Sequence, residues 1–146
     1  MENKKELNRK RVKSRYQNLS EEDKKNYIDN AKKNFKKWVN DNPIRYRFNL
    51  AKDRAKRKGL EFTIDLEYLE KLFDEQEGKC KYTGVKLIQS KNKINSMSID
   101  RIDSNKGYIM GNVVFTSAIV NTMKNDLTED DFLPVIKLIN EYHIKS

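Results

Sequence analysis

The sequence predicts an α+β protein: basic N-terminal helices, a small core of short extended segments with a helix, and a further helix at the C-terminal end. Three observations predict it. Apolar residues recur at helical spacing between bounding cap residues from Ser20 to Gly59. Met97 to Ile102 alternates in the manner of a short strand. Phe132, Val135, Ile136 and Ile139 form a late helical stripe.

The elements follow in order. Residues 1–19 have no clear period and are expected to be a flexible basic N-terminus. Ser20 with Asp23 forms a capping box ahead of a helix carrying Tyr27, Ile28, Ala31, Phe35, Trp38 and Val39 near one face. Asp41, Asn42 and Pro43 interrupt it, and Pro43 suits the first turn of a second helix that Gly59 stops. Residues 20–59 thus read as a basic helical arm. Leu60 to Ile64 is a short extended entry to the remaining domain, residues 60–146. Asp65 caps a third helix that runs to about Gln76, with Leu66, Leu69, Leu72 and Phe73 inward. Tyr82 to Leu87 reads as one strand and Met97 to Ile102 as its partner, with the polar loop Gln89 to Ser96 between them. Asn112 to Phe115 is extended and Thr116 to Met123 helical. The last helix is placed closer to Asp131 than to Leu127, so that Pro134 does not fall late inside it.

Charge is divided unevenly. Residues 1–60 carry a net +12 and residues 61–146 a net −3, so the first part supplies the whole +9. Such a segment attracts a polyanion and can neutralise several phosphates. The cluster Lys52, Arg54, Lys56, Arg57 and Lys58 is denser than solubility requires, and a nucleic acid is the expected partner. No apolar run approaches the roughly 20 residues that cross a bilayer, so a cytoplasmic or host-cell intracellular protein without membrane contact is expected. One cysteine, Cys80, allows no internal disulfide.

Polar residues capable of chemistry concentrate between Asp100 and Lys124. A strand end delivering Asp100 and a helix delivering Asn121 would bring two hard oxygen ligands together, suited to Mg²⁺ or Mn²⁺ more than to zinc. Arg101, Lys106 and Lys124 are candidate phosphate contacts around that ion. Asp and Asn in loops also commonly cap backbones, so spacing alone leaves a structural role open.

The strings Gly78-Lys-Cys-Lys-Tyr-Thr-Gly-Val-Lys-Leu87, Ser98-Ile-Asp-Arg-Ile-Asp103, Lys106-Gly-Tyr-Ile-Met-Gly-Asn-Val-Val114 and Val120-Asn-Thr-Met-Lys124 resemble, in order, the HNH nuclease family, especially its phage and bacterial members. The resemblance covers about residues 60–140. It implies a ββα-metal core, made of a two-stranded antiparallel hairpin plus a helix, with one divalent cation that polarises the scissile phosphate. Asp100 and Asn121 fall on the family's metal ligands and Asn112 on its positioning asparagine. Arg101 falls where the family has its general-base histidine. A guanidinium stays protonated and cannot accept a proton from water. Asp103 is the expected substitute, with Arg101 binding phosphate, and Tyr108 and Tyr82 are further candidates. The only histidine, His143, belongs to no motif. Cys80 matches the first of four zinc-binding cysteines, but Thr83, Ser117 and Val120 stand at the other three. A structural zinc is therefore not expected, and packing through Tyr82, Val85, Phe115, Ile119 and Val120 is expected in its place.

The function so implied is a metal-dependent DNA endonuclease acting on double-stranded DNA. The alternatives are a catalytically inactive nucleic-acid-binding module on the same scaffold, or a phage-type protein-interaction or inhibitor protein.

Overall fold

A computed structural model describes residues 3–89 and 94–144, so half of the polar loop Gln89–Ser96, residues 90–93, lies outside the described residues. The elements are α1 (Lys4–Gln17), α2 (Glu21–Asp41), α3 (Pro43–Lys58), α4 (Leu66–Glu75), β1 (Met97–Arg101), β2 (Val113–Ser117), α5 (Ala118–Lys124) and α6 (Glu129–Ile144). They form N-terminal helices, a two-stranded antiparallel hairpin and C-terminal helices, the α+β architecture expected. The chain divides into two compact units, Met1–Asp41 and Asn42–Ser146. The basic stretch 20–59 is therefore split, with α3 in the unit that holds the hairpin.

In the first unit, α1 is helical without an apolar period and buries no residue. Strong helix formers (Lys, Glu, Arg and Gln) favour it, and Asn3 caps it by accepting from the Lys5 amide at 3.1 Å. In α2 the capping box is formed: Ser20 Oγ donates to Asp23 Oδ2 at 2.7 Å and accepts from the Asp23 amide at 3.1 Å. Its one buried residue is Val39.

In the second unit, Pro43 opens α3 and Gly59 closes it in the left-handed conformation, at φ 64°. Ala51 and Ala55, one helical turn apart, are buried and bring α3 against β1 and α4. Asp65 caps α4 by accepting from the Tyr68 amide at 2.8 Å. The core gathers Leu69, Leu87, Met97, Ile99, Phe115 and Phe132 among others.

Two sequence expectations are corrected. β1 pairs with β2, from Met97↔Ser117 to Arg101↔Val113, and not with Tyr82–Leu87. That segment is bent back by a tight turn in which the Cys80 amide donates to Val85 O and the Gly84 amide to Cys80 O. On either side of this turn the chain forms isolated bridges, Lys79↔Lys86 and Ile88↔Ser96. The last helix starts at Glu129, ahead of Pro134. Thr128 Oγ1 donates to Asp131 Oδ2 at 2.6 Å and accepts from the Asp131 amide at 3.2 Å, so this box marks the helix start and Pro134 falls in the second turn.

The extended entry docks on the loop that precedes β2. The Tyr108 amide donates to Glu61 O at 2.9 Å and the Thr63 amide to Tyr108 O at 3.0 Å. The approach requires glycine at the preceding position, because a Cβ on Gly107 would stand 2.2 Å from Glu61 O.

Candidate active-site cleft

Strand alternation places Ser98 and Asp100 on one face of β1, and helical spacing places Asn121 and Lys124 on one face of α5. The two faces meet. Asn121 Nδ2 donates to Ser98 Oγ at 2.7 Å, and Lys124 Nζ lies 3.3 Å from Asp100 Oδ2. All five residues of β1 are buried, polar and apolar alike, because α5 covers the strand's polar side.

Lys124 was expected to reach a phosphate. It is instead 0% exposed, donating to Arg101 O at 2.8 Å and Leu127 O at 2.6 Å as well as pairing with Asp100. Its ammonium ties the end of α5 to the end of β1 and supplies the counter-charge that a buried carboxylate needs. Burial pushes Asp100 above the ordinary carboxylate range, and Lys124 opposes that rise. The Tyr82 hydroxyl lies 3.4 Å from Asp100 Oδ2 and donates to it. Burial, with the carboxylates of Asp100 and Glu129, raises its pKa, so Tyr82 stays a protonated donor.

A cleft of about 400 Å³ opens beside this pair. One wall is the basic face of α3, with Arg54, Arg57 and Lys58 at i, i+3 and i+4. The other residues around it include Asp100, Arg101, Tyr108, Asn121 and Asp126. The structure therefore gathers both candidate metal ligands, the arginine at the histidine position and three of the five clustered basic residues. Lys52 and Lys56 are exposed and do not line the cleft; Lys52 lies over the Phe48 ring at 5.9 Å.

Arg101 is held from two sides. Its Nη1 donates to Ser104 O at 2.7 Å and Lys106 O at 2.8 Å, and its guanidinium carbon lies 5.6 Å from the Tyr108 ring centroid. Asn112 clamps the same loop: its Oδ1 accepts from the Asp103 amide at 2.9 Å, and its Nδ2 donates to Asp103 O at 3.1 Å and Gly107 O at 2.9 Å.

Asp103 is not among the residues lining the cleft. It accepts from the Asn105 amide at 2.9 Å and pairs with Lys106 at 3.2 Å. The backbone N–H of Asn105, followed by Lys106, holds its carboxyl below the usual range, which makes it a poor proton acceptor. Lys106 is likewise turned to Asp103 rather than to the cleft.

Where the resemblance would place zinc, Cys80 Sγ lies 3.3 Å from Thr116 Oγ1 and accepts from the Ser117 amide at 3.4 Å. Gln76 adds a second tie, with its Oε1 accepting from the Phe115 amide at 2.8 Å and its Nε2 donating to Phe115 O at 2.9 Å. The turn is thus held by polar contacts as well as by packing of Phe115, Val120 and Tyr82; Val85 is exposed. Among the described residues, no three His, Cys, Asp or Glu side chains come together as a metal cage. No described helix is long and apolar enough to cross a membrane.

Sequence reasoning missed Ser98 and Asp126, and it offered Tyr108 as a candidate base where its hydroxyl accepts from Arg54 at 3.1 Å. The first was within reach, since it stands two residues before Asp100 on the same strand face. Asp126 pairs with Lys58 at 3.5 Å across a separation of 68 residues, and no local pattern encodes that contact.

No protein-family model matches the chain. It is 41% identical over 91 residues to the uncharacterized protein R423 of Acanthamoeba polyphaga mimivirus, covering 62% of this chain and 16% of that protein. It is 29% identical over 90 residues to an uncharacterized 29.0 kDa protein in the dda-modA intergenic region of Enterobacteria phage T4, covering 62% of this chain and 35% of that one. The chain therefore spans about a sixth and about a third of the length of these two relatives. Among solved structures it is similar to the rare-cutting HNH restriction endonuclease PacI, with a TM-score of 0.53 and 17% identity over 68% of this chain and 78% of that one. That likeness establishes a shared fold: helices around a two-stranded hairpin, in the general architecture of an HNH endonuclease.

Proposed function

We propose that the protein is a metal-dependent DNA endonuclease whose reaction takes place in the cleft between α3, β1 and α5. The observation that carries this reading is that Asp100 and Asn121, 21 residues apart in sequence, line one cleft together with Arg54, Arg57 and Lys58.

The donor set suits a hard divalent cation. Mg²⁺ commonly takes one or two protein oxygens and completes its shell with water and substrate phosphate, so a full protein cage is not required. Asp100 offers a carboxylate. Asn121 commits its amide nitrogen to Ser98 and keeps its carbonyl oxygen for an acceptor role. A cation held by these two would polarise a phosphodiester and stabilise the departing oxygen. Lys124 and Tyr82 fix the Asp100 carboxylate, and the α3 wall binds the DNA backbone. Arg101, tied to Ser104 and Lys106 through one terminal nitrogen, presents the rest of its fork to a phosphate oxygen.

Supercoiled plasmid incubated with Mg²⁺, Mn²⁺ or EDTA tests the reading. Nicking that requires the metal and disappears in Asp100→Ala supports it; nicking that survives Asp100→Ala overturns the site.

One observation favours a second reading, a binding module without catalysis. Arg101 stands where a base is expected, and Asp103 points its carboxylate into its own loop. DNA retardation without cutting in any divalent metal, for both the wild type and Arg101→His, would select it.

A further inference from the structure

The cations around the cleft are not equivalent. Lys124 is buried beneath Asp100 and already committed to that carboxylate and two carbonyls. Arg101 has one terminal nitrogen on two loop carbonyls. The remaining lining cations, Arg54, Arg57 and Lys58, all come from one face of α3; of the two acids that line the cleft, Asp100 pairs with Lys124 and Asp126 with Lys58. Within the α3 group, Arg57 engages Asp53 O through Nε at 3.4 Å, so its two terminal amino groups form the fork suited to a phosphate. Arg54 donates through Nη1 to the hydroxyl of Tyr108 at 3.1 Å. Tyr108 is 1% exposed, and its ring lies under Arg101 while its hydroxyl reaches Arg54. One buried side chain therefore orients two guanidinium groups of the same cleft. At about 400 Å³ the cleft far exceeds the roughly 30 Å³ that one water occupies, so it has room for more than a single phosphate.

We infer that the cleft has two phosphate positions, one beside Asp100 and Asn121 and a neighbouring one held by the Arg54–Arg57 fork, with Tyr108 as the positioning residue of that fork. The ligand is a polynucleotide strand presenting consecutive phosphates, not a mononucleotide. The inference deepens the endonuclease reading and rests on it for the first position only. The arginine position acts without metal and without chemistry.

The test compares thymidine 5′-monophosphate, with one phosphate, and 5′-phosphorylated thymidine dinucleotide, with two, by calorimetric titration in Ca²⁺ and in EDTA. In Ca²⁺ the wild type is expected to hold the dinucleotide about tenfold more tightly or better, the scale of a charge-assisted contact. Arg57→Gln and Arg54→Gln should each remove most of that advantage, and Arg57→Lys should restore part of it. Tyr108→Phe keeps the ring under Arg101 but removes Arg54's acceptor, and should reduce the advantage by roughly threefold, a partial loss of the same contact. Lys33→Gln, an exposed residue of the other compact unit, controls for general charge and should leave both affinities within about twofold, as a screened surface charge does. A wild-type advantage that is absent, or that persists in both arginine variants, overturns the inference. The metal position is judged separately: if EDTA and Asp100→Ala change neither affinity, the endonuclease reading fails, while the arginine variants still decide the second position.

Discussion

The helices α2 and α3 are both rich in basic residues and have different fates: α2 sets five acids against six lysines, α3 one acid against seven lysines and arginines. In α2, Lys24 pairs with Glu21 at 2.8 Å and Lys32 with Asp29 at 3.4 Å, contacts one turn apart on an exposed surface. Such solvent-screened pairs contribute little. In α3, Ala51 and Ala55 are buried and let the helix lie close to β1, so Arg54, Arg57 and Lys58 arrive at the rim of a cleft. Charge alone does not fix where those cations stand. What does is a pair of small residues at helical spacing, which give α3 a docking face and its cations a fixed address.

Truncation gives the largest expected effect. Removing residues 1–41 should leave a unit that melts cooperatively by circular dichroism, because the main core cluster lies beyond them. Removing 1–59 takes Ala51 and Ala55 out of that cluster and should abolish the cooperative transition. A sharp melt from residues 60–146 alone would break the distinction drawn between α2 and α3.

Single lysines sharpen it. Lys124→Met strands the buried Asp100 carboxylate and removes the ammonium's bonds to Arg101 O and Leu127 O, and should cost about 3–5 kcal/mol in urea unfolding. Lys33→Met, on exposed α2, should stay within about 0.5 kcal/mol. Equal costs would mean that the ion pair does not hold β1 to α5.

Gly107→Ala should cost about 1–3 kcal/mol, because the new methyl group meets Glu61 O and must push the extended entry away from Tyr108. Since Tyr108 also orients Arg54, weaker binding of the two-phosphate probe should accompany the loss. A stable variant with intact binding would detach the entry strand from the cleft.

Ser20→Ala removes the α2 capping box and should cost about 1 kcal/mol, read as faster amide exchange in the first turn of α2 and nowhere in the cleft.

The smallest effect concerns acid. The folded pKa of Asp103 is depressed, so its contribution is fully present above the unfolded carboxylate value and is lost as pH falls through the folded one. The stability gap between wild type and Asp103→Asn should therefore close on acidification. A gap that widened instead would contradict the contacts with Asn105 and Lys106.

Local chemistry made much of this molecule legible in the sequence. Ser20 with Asp23, Pro43 and Gly59, and Asp65 mark helix ends through hydrogen bonds and dihedral limits that span only a few residues, and each acts where expected. The start of α6 is set by Thr128 with Asp131, a local cap of the same kind, and Pro134 does not move it. The placement of Asp100 at the end of a strand and Asn121 on a helix likewise followed from periodicity and resemblance. The pairing of β1 with β2 did not, because Tyr82–Leu87 has the composition of a strand and only its return turn at Gly84 withdraws it from the sheet.

By itself, then, the sequence determined the helices, their caps, the alternation of β1 and the cationic character of the first 60 residues, all properties of neighbours along the chain. Tertiary structure alone decided which cations meet the Asp100–Asn121 cleft. Lys124 was drawn inward because a buried carboxylate needs a counter-charge, Asp103 and Lys106 were taken up by their own loop, and Arg54 was aimed by the hydroxyl of a tyrosine 54 residues away. Those outcomes depend on what each side chain faces across the core, and burial, not sequence spacing, sets that.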